Sequence, residues 1–78
     1  EIERNGSHRL HKKIRFSSYR ENIDFVNRVA QMAEEQGHHP DMHVYYRILE
    51  IELTTHAILG LSENDFILAA KIDKLETN

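Results

Sequence analysis

The chain contains no cysteine and no tryptophan, and it has one proline and three glycines among its 78 residues. Without cysteine, neither a disulfide nor a cysteine-ligated metal can stabilise the fold. A domain this short buries only about 60% of the surface that its unfolded chain exposes, so its core is marginal. We therefore expect a single domain, residues 1–78, that associates with other copies of itself as a homo-oligomer.

Positive charge and long apolar segments are also scarce. The formal net charge is -3 with the histidines neutral, which argues against direct nucleic-acid binding. No apolar run is long enough to span a bilayer, and no signal-peptide pattern is present. These features predict no membrane association and a cytoplasmic location. The chain begins with Glu1 and not with methionine, so we expect that a preceding segment has been removed.

The first half of the sequence predicts a hairpin followed by a helix. Asn5-Gly6 stands between two alternating segments, which is typical of a type I′ turn. Ser18 and Glu21 have the spacing of a capping box. Gly37 is suited to end the helix, and Pro40 prevents it from continuing. The apolar stripe expected to face the core consists of Ile23, Val26, Ala30 and Ala33, widened by Phe25, Val29 and Met32.

The second half predicts strands and a second helix. Apolar and polar residues alternate from Ile48 to His56, which indicates a strand with one buried face. The segment before it forms either a tight hairpin near residues 46–47 or one bent strand. Ser62 and Asp65 predict a second capped helix. Its core stripe is expected to be Phe66, Ala69, Ile72 and Leu75, with Leu68 alongside. The sequence thus predicts an α+β domain of order ββαββα, with a four-stranded antiparallel sheet and both helices on one face.

Three of the six histidines mark the segments of chemical interest. His38 and His39 follow the expected helix end, and His56 lies at the end of the last strand. They could solvate a turn, form a three-histidine zinc site, or transfer protons near neutral pH. Pro40 and the lack of a zinc-binding motif disfavour zinc, so we expect no metal. Acid–base catalysis would need a donor and an acceptor on opposite sides of a substrate, with Glu34 as a nearby acid.

A set of fixed spacings resembles the signature of the pterin-4a-carbinolamine dehydratases. In that signature an acid is followed after three residues by His-His-Pro, and then by an aromatic residue, a histidine and an aspartate. Here these residues are Glu34, His38-His39-Pro40, Tyr46, His56 and Asp65. The segments 25–30 and 60–63 are also similar to the family. The resemblance covers nearly the whole chain, from about Ile14 to Ile72.

The resemblance implies a fold, a reaction and a set of site residues. The family has the ββαββα fold after an N-terminal helix, forms dimers or tetramers, and uses no metal or organic cofactor. Its members dehydrate 4a-hydroxytetrahydropterin to quinonoid dihydropterin, a step in tetrahydrobiopterin recycling. By the same resemblance, the catalytic residues are His38, His39 and His56. The pterin would be bound by His38, His39, Pro40, Thr55 and His56, with Glu34 and Asp65 as supporting acids.

The sequence differs from the family pattern at two places, and the family also suggests a second function. Family members commonly carry an acid directly after the third histidine, where this chain has Ala57. The N-terminal helix and a tryptophan near its end are absent. The resemblance also implies an alternative: some family members act as dimerisation cofactors for transcription factors and others as assembly factors, so this chain could be a non-catalytic protein-binding module. The exposed sheet edges expected for this fold favour that alternative.

Overall fold

The computed structural model describes residues 2–4, 7–55 and 60–77, with side chains described for residues 8–55 and 60–76. The elements occur in the predicted α+β order: β1 (Ile2–Arg4), β2 (Ser7–Arg15), α1 (Tyr19–Gln36), β3 (Asp41–Val44), β4 (Ile48–Leu53) and α2 (Glu63–Thr77). Within the described ranges, neither helix has the length and apolar character needed to cross a membrane.

The sheet is antiparallel, with its strands in the order β1-β2-β4-β3. Strand β4 pairs with residues 10–15 of β2 on one side and with β3 on the other. Strand β1 pairs with residues 7–9 of β2, beyond the end of β4. The continuous sheet is therefore three-stranded, and the predicted four-stranded sheet is not confirmed. Strand β1 instead forms a short hairpin with the first residues of β2. The turn expected for this hairpin, Asn5-Gly6, lies outside the described residues.

Strands β3 and β4 form a tight hairpin, which settles the choice between a hairpin and one bent strand. The amide of Tyr45 donates to the carbonyl of Ile48 at 2.8 Å, so the chain reverses through residues 46–47. The fully buried Asn22 of α1 braces this turn. Its Nδ2 donates to the carbonyls of Tyr45 at 2.8 Å and Ile48 at 3.1 Å. These bonds fix the first helix against the tip of the hairpin.

The core lies between one face of the sheet and the two helices. Its buried members are Ile14, Phe25, Val29, Leu49, Ile51, Leu53, Leu68 and Ile72. The predicted helix stripes need correction at Ala30 and Phe66, which are exposed, Phe66 by 53%. The buried stripes instead run through Asn22 in α1 and Asp65 in α2. A pattern read from apolar residues alone missed these two polar positions, so each predicted stripe was rotated about the helix axis.

The opposite face of the sheet is polar and carries ion pairs that join β2 to β4 and to β3. Arg9 Nη1 lies 3.2 Å from Asp41 Oδ2 and 3.6 Å from Glu52 Oε1. Lys12 is on the core side of β2, at the edge of the helix layer. Its ammonium lies 2.8 Å from Asp73 Oδ1 and 2.7 Å from Glu76 Oε1 on α2. These carboxylates allow a lysine to occupy a position that faces the core.

Candidate active site

The end of helix α1 sets the position of the two adjacent histidines. Gly37 has φ 64° and ψ 27°, the left-handed conformation that glycine adopts without a Cβ clash. The amide of Gly37 donates to the carbonyl of Glu34, and the amide of His38 donates to the carbonyl of Ala33 at 3.2 Å. This pair of bonds is a Schellman motif, which satisfies the last carbonyls of the helix. The bend therefore holds the backbone of His38 rigidly against α1.

The side chain of His38 contacts the first turn of α2. Its Nε2 lies 2.5 Å from Oδ1 of Asp65, with His38 16% exposed and Asp65 fully buried. Because a carboxylate can only accept hydrogen bonds, Nε2 carries the proton of this bond. In the neutral ring, Nδ1 is then the nitrogen with the free lone pair. The bond thus selects one tautomer and leaves Nδ1 for proton exchange.

Asp65 is held in its charged form by several donors. Burial by itself would raise the pKa of this carboxyl, but hydrogen bonds from His38, the Ser62 amide and Thr55 together hold the pKa below its usual range. Asp65 also lies in the first turn of α2, where the helix dipole favours negative charge. The site therefore contains a buried carboxylate that remains ionised at neutral pH.

Two hydroxyl groups lie on the far side of this carboxylate from His38. Oγ1 of Thr55 donates to Asp65 Oδ2 at 2.7 Å, and it lies 2.6 Å from Oγ of Ser62. The Ser62 amide donates to the same Oδ2 at 2.9 Å. Sequence reasoning identified Ser62 as a helix cap and missed its contact with Thr55. The signal available was its three-residue spacing from Asp65, which brings a cap residue next to a predicted site residue.

The other expected site residues do not join this cluster in the described part of the chain. His39 points away from His38: its Nε2 lies 3.5 Å from Oε1 of Glu34, and both side chains are mostly exposed. Glu34 is therefore paired with His39, whereas His38 is hydrogen-bonded to Asp65. Pro40 is partly buried between the bend and β3. His56 lies outside the described residues, although Thr55, its neighbour in sequence, is part of the cluster.

No group of three or more histidine, aspartate or glutamate side chains in the described residues could hold a metal ion. A groove of about 560 Å³ lies on the polar face of the sheet, lined by residues such as Arg9, His43 and Glu52. It does not include His38 or Asp65. What the cluster itself can do chemically is exchange a proton at His38 while Asp65 balances the charge.

A family model described as pterin 4 alpha carbinolamine dehydratase matches residues 2–75. The chain belongs to this family. It is 52% identical over 73 residues to pterin-4-alpha-carbinolamine dehydratase 2, mitochondrial, of Arabidopsis thaliana, which covers 92% of this chain and 39% of that protein. The chain spans 58–65% of the length of the bacterial relatives that it matches. Family membership therefore rests on most of this chain but on only part of each relative.

Solved structures agree with the fold. A transcriptional coactivator/pterin dehydratase from Brucella melitensis superposes with a TM-score of 0.84 and 25% identity, covering 94% of this chain and 78% of that one. A pterin dehydratase-like protein, identified as a RuBisCO assembly factor in the alpha-carboxysome, superposes with a TM-score of 0.74 and 28% identity. It covers 86% of this chain and 77% of the other. The α+β fold with two helices over an antiparallel sheet is thus that of pterin dehydratase structures.

Proposed function

We propose that this chain dehydrates 4a-hydroxytetrahydropterin to quinonoid dihydropterin, as a lyase of tetrahydrobiopterin recycling. The observation that carries the proposal is the bond of 2.5 Å between His38 Nε2 and Asp65, found in a member of the pterin-4a-carbinolamine dehydratase family. A histidine held by a buried carboxylate is the arrangement that general acid–base catalysis requires.

The reaction breaks the bond between C4a and its hydroxyl and removes the proton from N5. The hydroxyl leaves as water after protonation, and a double bond forms between C4a and N5. One imidazolium and one neutral imidazole suffice for these two transfers. Each well-placed transfer contributes about 10²–10⁴-fold to the rate. We assign the two roles to His38 and His56, and leave open which of them is the acid.

The remaining site residues bind the pterin or support the histidines. His39, whose ring is exposed beside Glu34, would bind and orient the substrate, and Pro40 and Thr55 would line the site. Asp65 would keep His38 in one tautomer and hold its ring in place. Glu34 would support the ring of His39 more weakly, because both groups are solvated. The proposal uses no metal and no organic cofactor.

The proposal can be tested with an aromatic amino-acid hydroxylase that generates the 4a-carbinolamine in the assay. We expect the wild-type protein to accelerate the decay of that intermediate, and the variants His38→Ala and His56→Ala to lose most of the acceleration. His43→Ala is the matched control, since His43 is an exposed histidine on β3. Decay no faster with wild-type protein than with buffer would contradict the proposed activity.

A protein-binding role is the alternative, and an exposed aromatic cluster favours it. Tyr19, Tyr45 and Tyr46 are 52%, 54% and 69% exposed. The rings of Tyr19 and Tyr46 lie 6.3 Å apart, and Arg47 lies over Tyr46 at 5.2 Å. Tyrosine and arginine are enriched in the residues that dominate protein interfaces. A structural neighbour, a pterin dehydratase-like protein, is identified as a RuBisCO assembly factor, which supports this alternative.

The two functions make opposite predictions for two variants. A binding role would survive His38→Ala and be lost in the double variant Tyr19→Ala, Tyr46→Ala. Catalysis would show the reverse. Quantitative capture from a native extract, measured beside the turnover assay, separates them. A stoichiometric partner lost only with the tyrosines, together with no turnover, would replace the dehydratase proposal.

We also propose that the chain forms a homodimer or homotetramer and acts in the cytoplasm. The oligomer is supported by the edge strand β3 and by Phe66 and Ile67, which are 53% and 41% exposed on α2. Sedimentation equilibrium should give a mass of two or four chains. The cytoplasmic location needs a separate test by imaging, because the Arabidopsis relative is named as a mitochondrial protein.

A further inference from the structure

The carboxylate that holds His38 is itself held by a chain of side-chain hydroxyls. Asp65 Oδ1 contacts His38, and Asp65 Oδ2 accepts from the Thr55 hydroxyl at 2.7 Å and from the Ser62 amide at 2.9 Å. The Thr55 oxygen lies 2.6 Å from the Ser62 hydroxyl. The two carboxylate oxygens thus have separate partners, which fixes the plane of the carboxylate.

The direction of these bonds follows from proton counting. A threonine hydroxyl has one proton, and Asp65 as an ionised carboxylate can only accept. The Thr55 proton is therefore committed to Asp65. In the contact with Ser62, Thr55 must then accept, so that the Ser62 hydroxyl is the donor. The chain of bonds runs from Ser62 through Thr55 and Asp65 to His38, and each member has one role.

We propose that Thr55 and Ser62 are positioning residues, which hold the Asp65 carboxylate facing His38 and thereby keep the histidine proton on Nε2. The sequence predicted that Thr55 lines the substrate site. Its hydroxyl proton is already committed to Asp65, so Thr55 acts on the reaction through Asp65 and His38. Ser62 contributes through Thr55, to which its hydroxyl donates. The effect on turnover rests on the proposed dehydratase function, but the effect on His38 does not.

A purely structural role is the competing explanation, since both residues also tie β4 to the start of α2. The chain offers a matched control in Thr54, which is buried beside Thr55. Its hydroxyl oxygen lies 3.0 Å from the carbonyl oxygen of Gly60 and 3.2 Å from that of His8, so its one proton is shared between these carbonyls and is not directed to Asp65. Loss of either hydroxyl removes a buried hydrogen bond from the same region. Only the loss of the Thr55 hydroxyl should change the tautomer of His38.

The test is the tautomer of His38, read from the ¹⁵N chemical shifts of its ring at a pH where the imidazole is neutral. In the wild type we expect the proton on Nε2. Thr55→Val should give a mixture of tautomers and lower kcat by about five- to tenfold with little change in KM. Thr55→Ser, which keeps the hydroxyl, should show the wild-type tautomer and the wild-type kcat. Ser62→Ala, which keeps the amide donor to Asp65, should give a smaller shift in the same direction.

The controls separate this inference from the proposed function. Thr54→Val should leave the His38 tautomer as in the wild type. If Thr55→Val does not fold, Ser62→Ala and Thr55→Ser carry the test, since each retains most of the packing. A wild-type tautomer in Ser62→Ala, and also in Thr55→Val where that variant folds, would overturn the inference. A tautomer shift in a protein without dehydratase activity would support the positioning role and contradict the proposed function alone.

Discussion

His38 and Asp65 are 27 positions apart in the sequence, and Nε2 of the histidine lies 2.5 Å from Oδ1 of the aspartate. The bond joins the second residue after the end of α1 to the first turn of α2, with the β3-β4 hairpin between them in the chain. The negative end of one helix therefore presents a histidine, and the positive end of the next presents a carboxylate. Asp65 thus lies where the dipole of α2 favours its negative charge.

The low pKa of Asp65 predicts a specific dependence of stability on pH. Between the folded and the unfolded pKa, the unfolded chain binds more protons than the folded one, so the free energy of unfolding rises with pH across that window. This contribution is present above about pH 4 and is lost as the pH falls through the folded pKa. Asp65→Asn should be less stable than wild type at pH 7, and its stability should fall less steeply in acid.

The measurement is urea unfolding at a series of acidic pH values, with the two proteins compared at each. Other carboxyls titrate in both proteins, so only the difference between the curves reports on Asp65. The difference should shrink as the pH decreases. Parallel curves would show that the folded protein does not lower the pKa of Asp65.

Gly37 ends α1 in the left-handed conformation, and a Cβ there would meet no atom within 4 Å. The cost of a side chain is therefore conformational and not steric crowding by neighbours. We predict that Gly37→Ala lowers the free energy of unfolding by about 1–2 kcal/mol. Gly37→Asn should cost less, because asparagine tolerates this conformation. Equal losses for the two variants, measured by chemical denaturation, would contradict this explanation.

The side-chain amide of Asn22 joins α1 to the β3-β4 hairpin by donating to the carbonyls of Tyr45 and Ile48. We predict that Asn22→Ala destabilises the fold by about 1–3 kcal/mol, since the carbonyls of Tyr45 and Ile48 lose a buried partner. Asn27, exposed on the same helix, is the control, and Asn27→Ala should change stability by less than about 0.5 kcal/mol. Thermal and urea unfolding of both variants check the difference. Similar effects at the two positions would show that the brace is unimportant.

Lys12 is a charged residue at the edge of the core, where it pairs with Asp73 and Glu76. Hydrogen bonds to Asp73 and Glu76 raise the pKa of Lys12 above its usual value, so its contribution to stability is present below about pH 10 and is lost as the pH rises through the folded pKa. A partly exposed ion pair contributes about 0–1 kcal/mol.

The side chain also borders a groove of about 240 Å³ that includes Leu10, Ile51 and Ala69. Lys12→Met should therefore stay within about 1 kcal/mol of wild type at pH 7, because the methionine packs on apolar neighbours. Lys12→Glu should be less stable than Lys12→Met, since it places like charge beside two carboxylates. Denaturation at neutral pH, with added salt reducing the gap between the two variants, is the measurement. Two equally stable variants would contradict the ion-pair geometry.

Local signals predicted the helix ends and the element order. Ser18, Gly37 and Ser62 act through backbone groups within four positions of themselves, and such effects can be read from the sequence. The alternation in β4 correctly predicted that Leu49, Ile51 and Leu53 face the core. The prediction failed at Asn22 and in the contact between Thr55 and Ser62, because these polar side chains are buried by partners from other elements. No periodicity of apolar residues marks such positions.

The pairing of acids with histidines also could not be predicted from local sequence patterns. One helical turn separates Glu34 from His38, and from this spacing we expected Glu34 to be a nearby acid. The left-handed backbone at Gly37 turns the chain, so that Glu34 pairs with His39 and the ring of His38 turns to α2. The resemblance to the family included Asp65 among the supporting acids, but its contact with His38 depends on how α2 packs. Only the folded chain shows it.

The proposed mechanism is tested most directly by a crystal structure of the protein with a bound pterin. We predict that the bicyclic ring lies beside the bend at residues 38–40, with His38 Nε2 still bonded to Asp65. We also expect His38 Nδ1 or a His56 ring nitrogen to lie about 2.6–3.2 Å from N5 or the 4a substituent. A pterin bound only in the polar groove around Arg9 and Glu52, with both histidines beyond hydrogen-bond reach of the ring, would contradict it.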